Sequence, residues 1–202
     1  MKVLVLCEYS GVVRDAFRRE GHDATSLDLL PTDCAGPHIQ GDAFDYLISI
    51  PDNHYDLIIA HPPCTALCVS GNSTYGEGKP SHWHRIGAAA WTEALWELCK
   101  CKAGRVAMEN PVGVLARLTS IPKASYVQPW MFGHIEQKKT GLHLHNLEPL
   151  LETDNVHAAM MQLPKSQRER MFYLPPSPDR WKIRSTTYAG IASAMAKQWG
   201  VL

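Results

Sequence analysis

The chain has 202 residues, 45% hydrophobic and 20% charged, with twenty basic residues against twenty acidic ones. Its length suits a single domain, 1–202, around one sizeable core, and zero formal charge argues against a strongly electrostatic, sequence-blind nucleic-acid binder. No apolar run approaches the roughly 20 residues that span a bilayer, so no membrane partner is expected. Residues 1–8 lack the long apolar core and small-residue cleavage site of a signal peptide, and the expected location is the cytoplasm. Free thiols are then the default for the six cysteines, at 7, 34, 64, 68, 99 and 101. The spacings Cys64-x3-Cys68 and Cys99-x-Cys101 match no standard zinc pattern. No metal is expected, although His61, His82 and His84 lie nearby in sequence.

Residues 3–7 form a continuous apolar, β-branched run, as in a strand buried on both faces of a parallel sheet. After Ser10-Gly11, Val12, Val13, Ala16 and Phe17 repeat at helical spacing. A second strand is predicted at about 24–29, with Asp28 near its end, and a short run, 39–42, leads to another turn at Gly41-Asp42. Residues 55–60 form the next buried strand, stopped by Pro62-Pro63. Residues 70–81, rich in Gly and Ser, are expected to be a mobile loop. Residues 83–102 give the longest helical pattern, 105–108 another strand, 140–145 a late strand and 187–199 a last helix. Strands alternating with helices predict an α/β fold with a mostly parallel central sheet. In such sheets ligands bind beyond the carboxyl ends of the strands, which here carry Glu8 to Gly11, Asp28, Asp42, His61 to Cys64 and Glu109-Asn110.

The ordered set Tyr9-Ser10-Gly11, Asp28, Gly41-Asp42, Pro62-Pro63-Cys64 and Glu109-Asn110-Pro111 resembles the cytosine-5 DNA methyltransferase family, above all its small, divergent bacteriophage-type members. The likeness covers about 1–145 and returns at 184–200. It implies a Rossmann-like class I fold, S-adenosylmethionine as cofactor, DNA as partner and, for a phage-encoded chain, the host cytoplasm. Tyr9, Ser10, Gly11, Asp28, Asp42 and Pro62 would bind the cofactor. Gly11 would let the backbone pass close to its methionine part, and the helix behind it would aim free N–H groups at its carboxylate. Asp28 would accept from the ribose hydroxyls and Asp42 from the adenine amine. Val13 and Arg14 stand where the family has further glycines.

Cys64 would be the nucleophile. Carbon 5 of cytosine is too electron-poor to attack a methyl sulfonium, whereas thiolate addition at carbon 6 turns the ring into an enamine whose carbon 5 can. Only the thiolate is competent, so its surroundings are expected to lower its pKa. Glu109, protonated through burial, would hold ring N3 and the exocyclic amine. Lys139, in Gln137-Lys138-Lys139-Thr140, stands where the family has a catalytic arginine, while Pro63, Asn110 and Arg184 would contact the substrate. Residues 184–202 would close over the cofactor as a C-terminal helix.

Between the late strand and that helix the family usually carries a target-recognition domain. Here the interval is a short basic insert, 146–183. Residues 164–184 hold six cations against two anions, with Phe172, Tyr173 and Trp181 interleaved. The cations would contact phosphates, and the aromatics either stack on bases or pack on the core. Three functions stay open: cytosine-5 methylation of DNA, the same chemistry on a free pyrimidine nucleotide, and a catalytically silent cofactor- or DNA-binding module. A homodimer or a partner subunit is also open.

Overall fold

The computed structural model describes residues 1–201. In chain order the elements are β1 (Lys2–Leu6), α1 (Val12–Arg19), β2 (Asp23–Asp28), β3 (His38–Gln40), α2 (Ala43–Ser49), β4 (Tyr55–Ala60), α3 (Asn72–Tyr75), α4 (His82–Lys102), β5 (Ala103–Pro111), α5 (Leu115–Leu118), β6 (Ser125–Val127) and β7 (Thr140–His145). Helices α6 (His157–Met161), α7 (Lys165–Arg168), α8 (Arg170–Tyr173), α9 (Arg180–Ser185) and α10 (Ala189–Trp199) follow. The fold is mixed α/β. One seven-stranded sheet runs in the order β3-β2-β1-β4-β5-β7-β6. The first five strands pair in parallel, while β7 lies antiparallel to β5, and β6 to β7. No helix among the described residues is long and apolar enough to cross a membrane.

Alternation along the strands divides the core in two. Val3, Val5, Leu57 and Ile59 face one side, where Val13 and Phe17 of α1 and Ile191, Met195 and Trp199 of α10 cover them. Leu4, Leu6, Ile58 and Ala60 face the other, under Leu47 of α2 and Leu95, Trp96 and Cys99 of α4. Strands buried on both faces read as unbroken apolar runs, as β1 and β4 do.

The register of the parallel strands sets up the site. Leu27, Leu6, Ala60 and Met108 lie side by side across β2, β1, β4 and β5. The residues one step further are Asp28, Cys7, His61 and Glu109, so four strands bring a titratable side chain to the same row at their carboxyl ends. The row sits at the reversal of strand order between β1 and β4, where open α/β sheets form their ligand crevice.

Two buried arginines hold the loops around this row. Arg14 on α1 is fully buried and pairs with Asp15 at 2.7 Å. Its guanidinium also donates to Ser26, to Thr32 and to the carbonyls of Cys34 and Ala35. Gly11 (φ 71°) and Gly36 (φ 155°) press on that guanidinium so closely that a Cβ on either would collide with it. Its left-handed backbone and its contact with Arg14 each call for glycine at position 11. Arg85, 2% exposed, donates to the carbonyls of Ala66 and Cys68 and to Asn72. It ties down residues 69–75, which form a 3₁₀ turn and α3 where a mobile loop was expected. At Gly190 a Cβ would meet the carbonyl of Phe132, and the Gly190 N–H donates to His134. This close contact seats the start of α10.

Replacing Arg14 with alanine leaves two hydroxyls, two carbonyls and Asp15 without their partner. Arg14→Ala is expected to lower the unfolding free energy by about 3–5 kcal/mol, read from the urea midpoint.

Candidate active site

The carboxyl ends of β1, β2, β4 and β5 open into a cavity of about 740 Å³. Such a volume falls within the roughly 300–1,000 Å³ of small-molecule sites. Cys7 to Ser10, Asp28, His61 to Thr65, Glu109, Lys138, Lys139 and Arg184 to Thr187 are among its walls. Of the residues expected from the sequence to form a site, the cavity thus gathers Tyr9, Ser10, Asp28, Pro62, Pro63, Cys64, Glu109, Lys139 and Arg184. Gly11, Asp42 and Asn110 are not part of its lining.

Each absence has a physical reason. Asp42 caps α2, accepting from the N–H groups of Phe44 at 2.8 Å and Asp45 at 3.2 Å. An Asp before a helix does this by default, and both bonds fall on Oδ1. Asn110 is 1% exposed and sits against Gly141 of β7, on the opposite side of the strand from Glu109. Neither polar atom of its amide has a partner among the described residues. Gly11 turns above Arg14.

Three electrostatic expectations are also reversed. The first concerns α1, whose leading amides were expected to meet a cofactor carboxylate. The Glu8 side chain takes them instead, accepting from Val13 at 2.6 Å and Arg14 at 3.1 Å. A second anion would be repelled there. Burial pushes the Glu8 carboxyl above its ordinary value, and the nearby His61 charge and the two amides pull it back only in part.

The second concerns Glu109. Burial alone would raise its pKa. Against that, His61 donates to it at 2.9 Å and carries a charge, Lys138 adds another, and the Thr187 hydroxyl donates at 3.5 Å. Together they win, and Glu109 sits below its ordinary value as a carboxylate. His61 shows the mirror image. Burial disfavours its charge, yet the bond to Glu109 and the charges of Glu109 and Glu8 hold its pKa above the ordinary value, against Lys138. The pair is an imidazolium–carboxylate bridge with side chains 12% and 14% exposed.

The third concerns the thiols. Burial pushes Cys64 up, and the charges of Cys68 and Glu109 add to this, while Lys138 opposes them. Cys64 therefore rests as a thiol in the open cavity. Cys7 is further still from reactivity, raised to about 12 by burial and by Asp28 and Asp42.

Lys138, rather than its neighbour Lys139, is the cation acting on Cys64 and Glu109. Its ammonium donates to the Arg184 carbonyl at 2.7 Å. The Lys139 ammonium lies 4.4 Å from the centre of the Tyr126 ring on β6, at the cavity's edge. The sequence places Glu8 and His61 at strand ends and Lys138 beside Lys139, but it assigned no role to them or to Thr187. His61 carried a usable signal, being the first polar residue after a buried run that ends at Pro62-Pro63. Lys138 carried none that separated it from Lys139.

The basic insert closes one side. Trp181 of α9 packs on Tyr9 with ring centres 5.6 Å apart, and the Tyr9 hydroxyl donates to the Lys182 carbonyl at 3.1 Å. Trp181 stays 51% exposed, and Phe172 67%, so these rings do not fill the core. No group of three or more metal-ligating side chains occurs among the described residues.

No protein-family model matches the chain, and no curated protein is similar to it. Among solved structures it is similar to a candidate DNA modification methyltransferase encoded within an E. coli prophage. The TM-score is 0.46 and the identity 14%, over 71% of this chain and 46% of that one. The chain thus spans about half the length of that protein, and a likeness of this depth identifies neither family nor activity.

The His61–Glu109 bridge makes stability depend on pH. His61's share is complete below its ordinary pKa of 6.5 and is lost as pH rises through its raised folded value. Glu109's share is complete above its ordinary 4.5 and is lost as pH falls through its lowered folded value. Both contribute fully between those two values. Glu109→Gln is therefore expected to cost about 1.5–3 kcal/mol in that window and less at alkaline pH, read from urea unfolding at several pH values.

Proposed function

We propose that the chain methylates carbon 5 of cytosine in DNA, on a Rossmann-like class I scaffold, with Cys64 as nucleophile and S-adenosylmethionine as methyl donor. The observation that carries this reading is the meeting of Cys64 and Glu109 in one cavity, from the ends of adjacent strands, with Asp28 across the strand reversal. The sheet begins in the order 3-2-1-4-5, as in dinucleotide-binding folds. It then departs from them through the reversed β7, which leaves the crevice for a different adenosyl ligand.

The residues present fit that cofactor. Asp28 uses one carboxylate oxygen on the Leu30 N–H at 2.9 Å and lines the cavity, so it retains capacity for ribose hydroxyls. Glu8 sits where a methionine ammonium would be welcome, because a carboxylate keeps lone pairs beyond the amide bonds it accepts. When bound, the cofactor supplies an electrophilic methyl on a sulfonium. Everything else falls to the chain. Pro62 and Pro63 stiffen the exit from β4 and hold Cys64 at the cavity wall. Lys138 stabilises the thiolate once substrate displaces water. Glu109 faces the ring's N3 edge, and Thr187 and His61 fix its carboxyl.

DNA is favoured over a free nucleotide by the half-exposed Trp181, at the cavity wall beside Arg180, Lys182 and Arg184, with Phe172 and Tyr173 exposed nearby. Aromatic platforms among cations suit a chain of bases and phosphates. They also suit an unstacked or flipped base, which this chemistry requires.

Incubation with cofactor and an oligonucleotide containing 5-fluorodeoxycytidine is expected to give a covalent protein–DNA adduct by mass spectrometry. Cys64→Ala should give none. An adduct on the free nucleotide but not on DNA would assign the smaller substrate, and cofactor binding with no transfer to either would support a silent module. Trp181→Ala is expected to weaken oligonucleotide binding by about 1–3 kcal/mol in a fluorescence titration.

A further inference from the structure

His61 is built into the site more tightly than a spacer beside two prolines requires. Its Nδ1 lies 2.9 Å from Glu109 Oε2, both side chains are nearly buried, and it lines the cavity. Its Nε2 is buried with no hydrogen-bond partner among the described residues. The charged and titratable groups facing the ring come from three directions: Glu109 on β5, Glu8 after β1, and Lys138 before β7. Two anions against one cation favour a doubly protonated ring. On the Glu109 side, the hydrogen bonds from His61 and Thr187 both fall on Oε2.

This arrangement poses a problem for the chemistry proposed above. A base whose C6 accepts a thiolate needs a proton at N3, yet Glu109 rests without one. The adjacent imidazolium holds an exchangeable proton on Nδ1, 2.9 Å from that carboxyl.

We propose that His61 is the proton reservoir of the site, keeping Glu109 ionised while the cavity is open and passing it a proton when a cytosine docks. This inference rests on the cytosine reading. The thiol proton of Cys64 leaves to water, and the thiolate then forms the S–C6 bond. The C5=C6 pair moves to C4–C5 and the C4=N3 pair moves onto N3. The Nδ1 proton crosses to the Glu109 carboxyl and on to N3, and His61 becomes neutral. The C4=C5 pair then forms the bond from C5 to the methyl group as the methyl–sulfur bond of the sulfonium breaks, its pair staying on sulfur in the departing thioether, and C4=N3 is restored. Loss of the C5 proton to water re-forms C5=C6 as the S–C6 bond breaks and the thiolate leaves. The proton on N3 returns through Glu109 to Nδ1. His61 acts through Glu109 and is a positioning and proton-supplying residue, with no contact of its own to the base required.

The test compares the rate of covalent adduct formation on 5-fluorodeoxycytidine DNA, as a function of pH, between the wild type and His61→Gln. Glutamine can still donate to Glu109 but holds no transferable proton. For the wild type the alkaline limb is expected to coincide with the titration of His61, followed independently by NMR of the histidine-labelled protein without substrate. In His61→Gln the limb should move to lower pH, and the rate above neutrality should fall about 100-fold, with cofactor binding retained. An unmoved limb in His61→Gln would overturn the proposal and leave a merely orienting histidine. Should the variant not fold, a wild-type NMR titration that does not match the alkaline limb would overturn it equally. Absence of any adduct with the wild type would sink the cytosine reading and this inference together, whereas an adduct with an unmoved limb sinks the inference alone.

Discussion

The site depends on the register of four parallel strands. Because Leu27, Leu6, Ala60 and Met108 are level across the sheet, the last apolar residues of four strands lie in one row and the titratable side chains that follow them lie in the next. A shift of one residue in β4 would turn His61 away from Glu109, since alternate side chains face opposite sides. It would also carry Leu57 and Ile59 from beneath α1 and α10 into the opposite core, out of the packing in which both are fully buried. The hydrophobic core therefore enforces the hydrogen bond between residues 48 positions apart in sequence.

Around that row, acids and bases are set against burial. Glu8 and Glu109 are close enough to share His61 as a neighbour, yet they shift in opposite directions. The difference lies in what each carboxyl receives. Glu8 accepts from backbone amides, which carry no net charge. Glu109 accepts from an imidazolium and feels an ammonium besides. The pKa values of two carboxyls in one cavity are thereby pushed in opposite directions by what each receives, the kind of divergence from which an acid and a base can be drawn in one site.

Much of this was legible along the chain. β1 and β4 read as buried strands because their runs are continuous and bounded by turn residues, and β7 was placed at its observed limits, 140–145. Elements whose support is distant were harder to see. β6 has three residues and exists by pairing with β7. β5 runs to Pro111 because β7 pairs with it that far. Helix α2 was hidden behind the reading of Asp42 as a ligand. The cavity's residue list was largely readable, since strand ends announce themselves, but its charge state was not. Burial, then Cys68 and Glu109, raises Cys64, whereas His61 and Lys138 lower Glu109 against its own burial, and only the folded chain shows which of these approach.

The sheet's outer strands carry a separate consequence. β3 and β6, at the two edges, have three residues each. An edge strand offers unpaired N–H and C=O groups on which another chain can build. Edges this short leave little for an incoming strand to grip, and the long, sticky strands β1, β4 and β5 are shut inside. The chain can keep a strongly apolar sheet at its centre without presenting a template for fibril growth. Any self-association at high concentration would then run through side chains such as Trp83 and Phe172, which stand exposed, and would be reversible where strand addition is not.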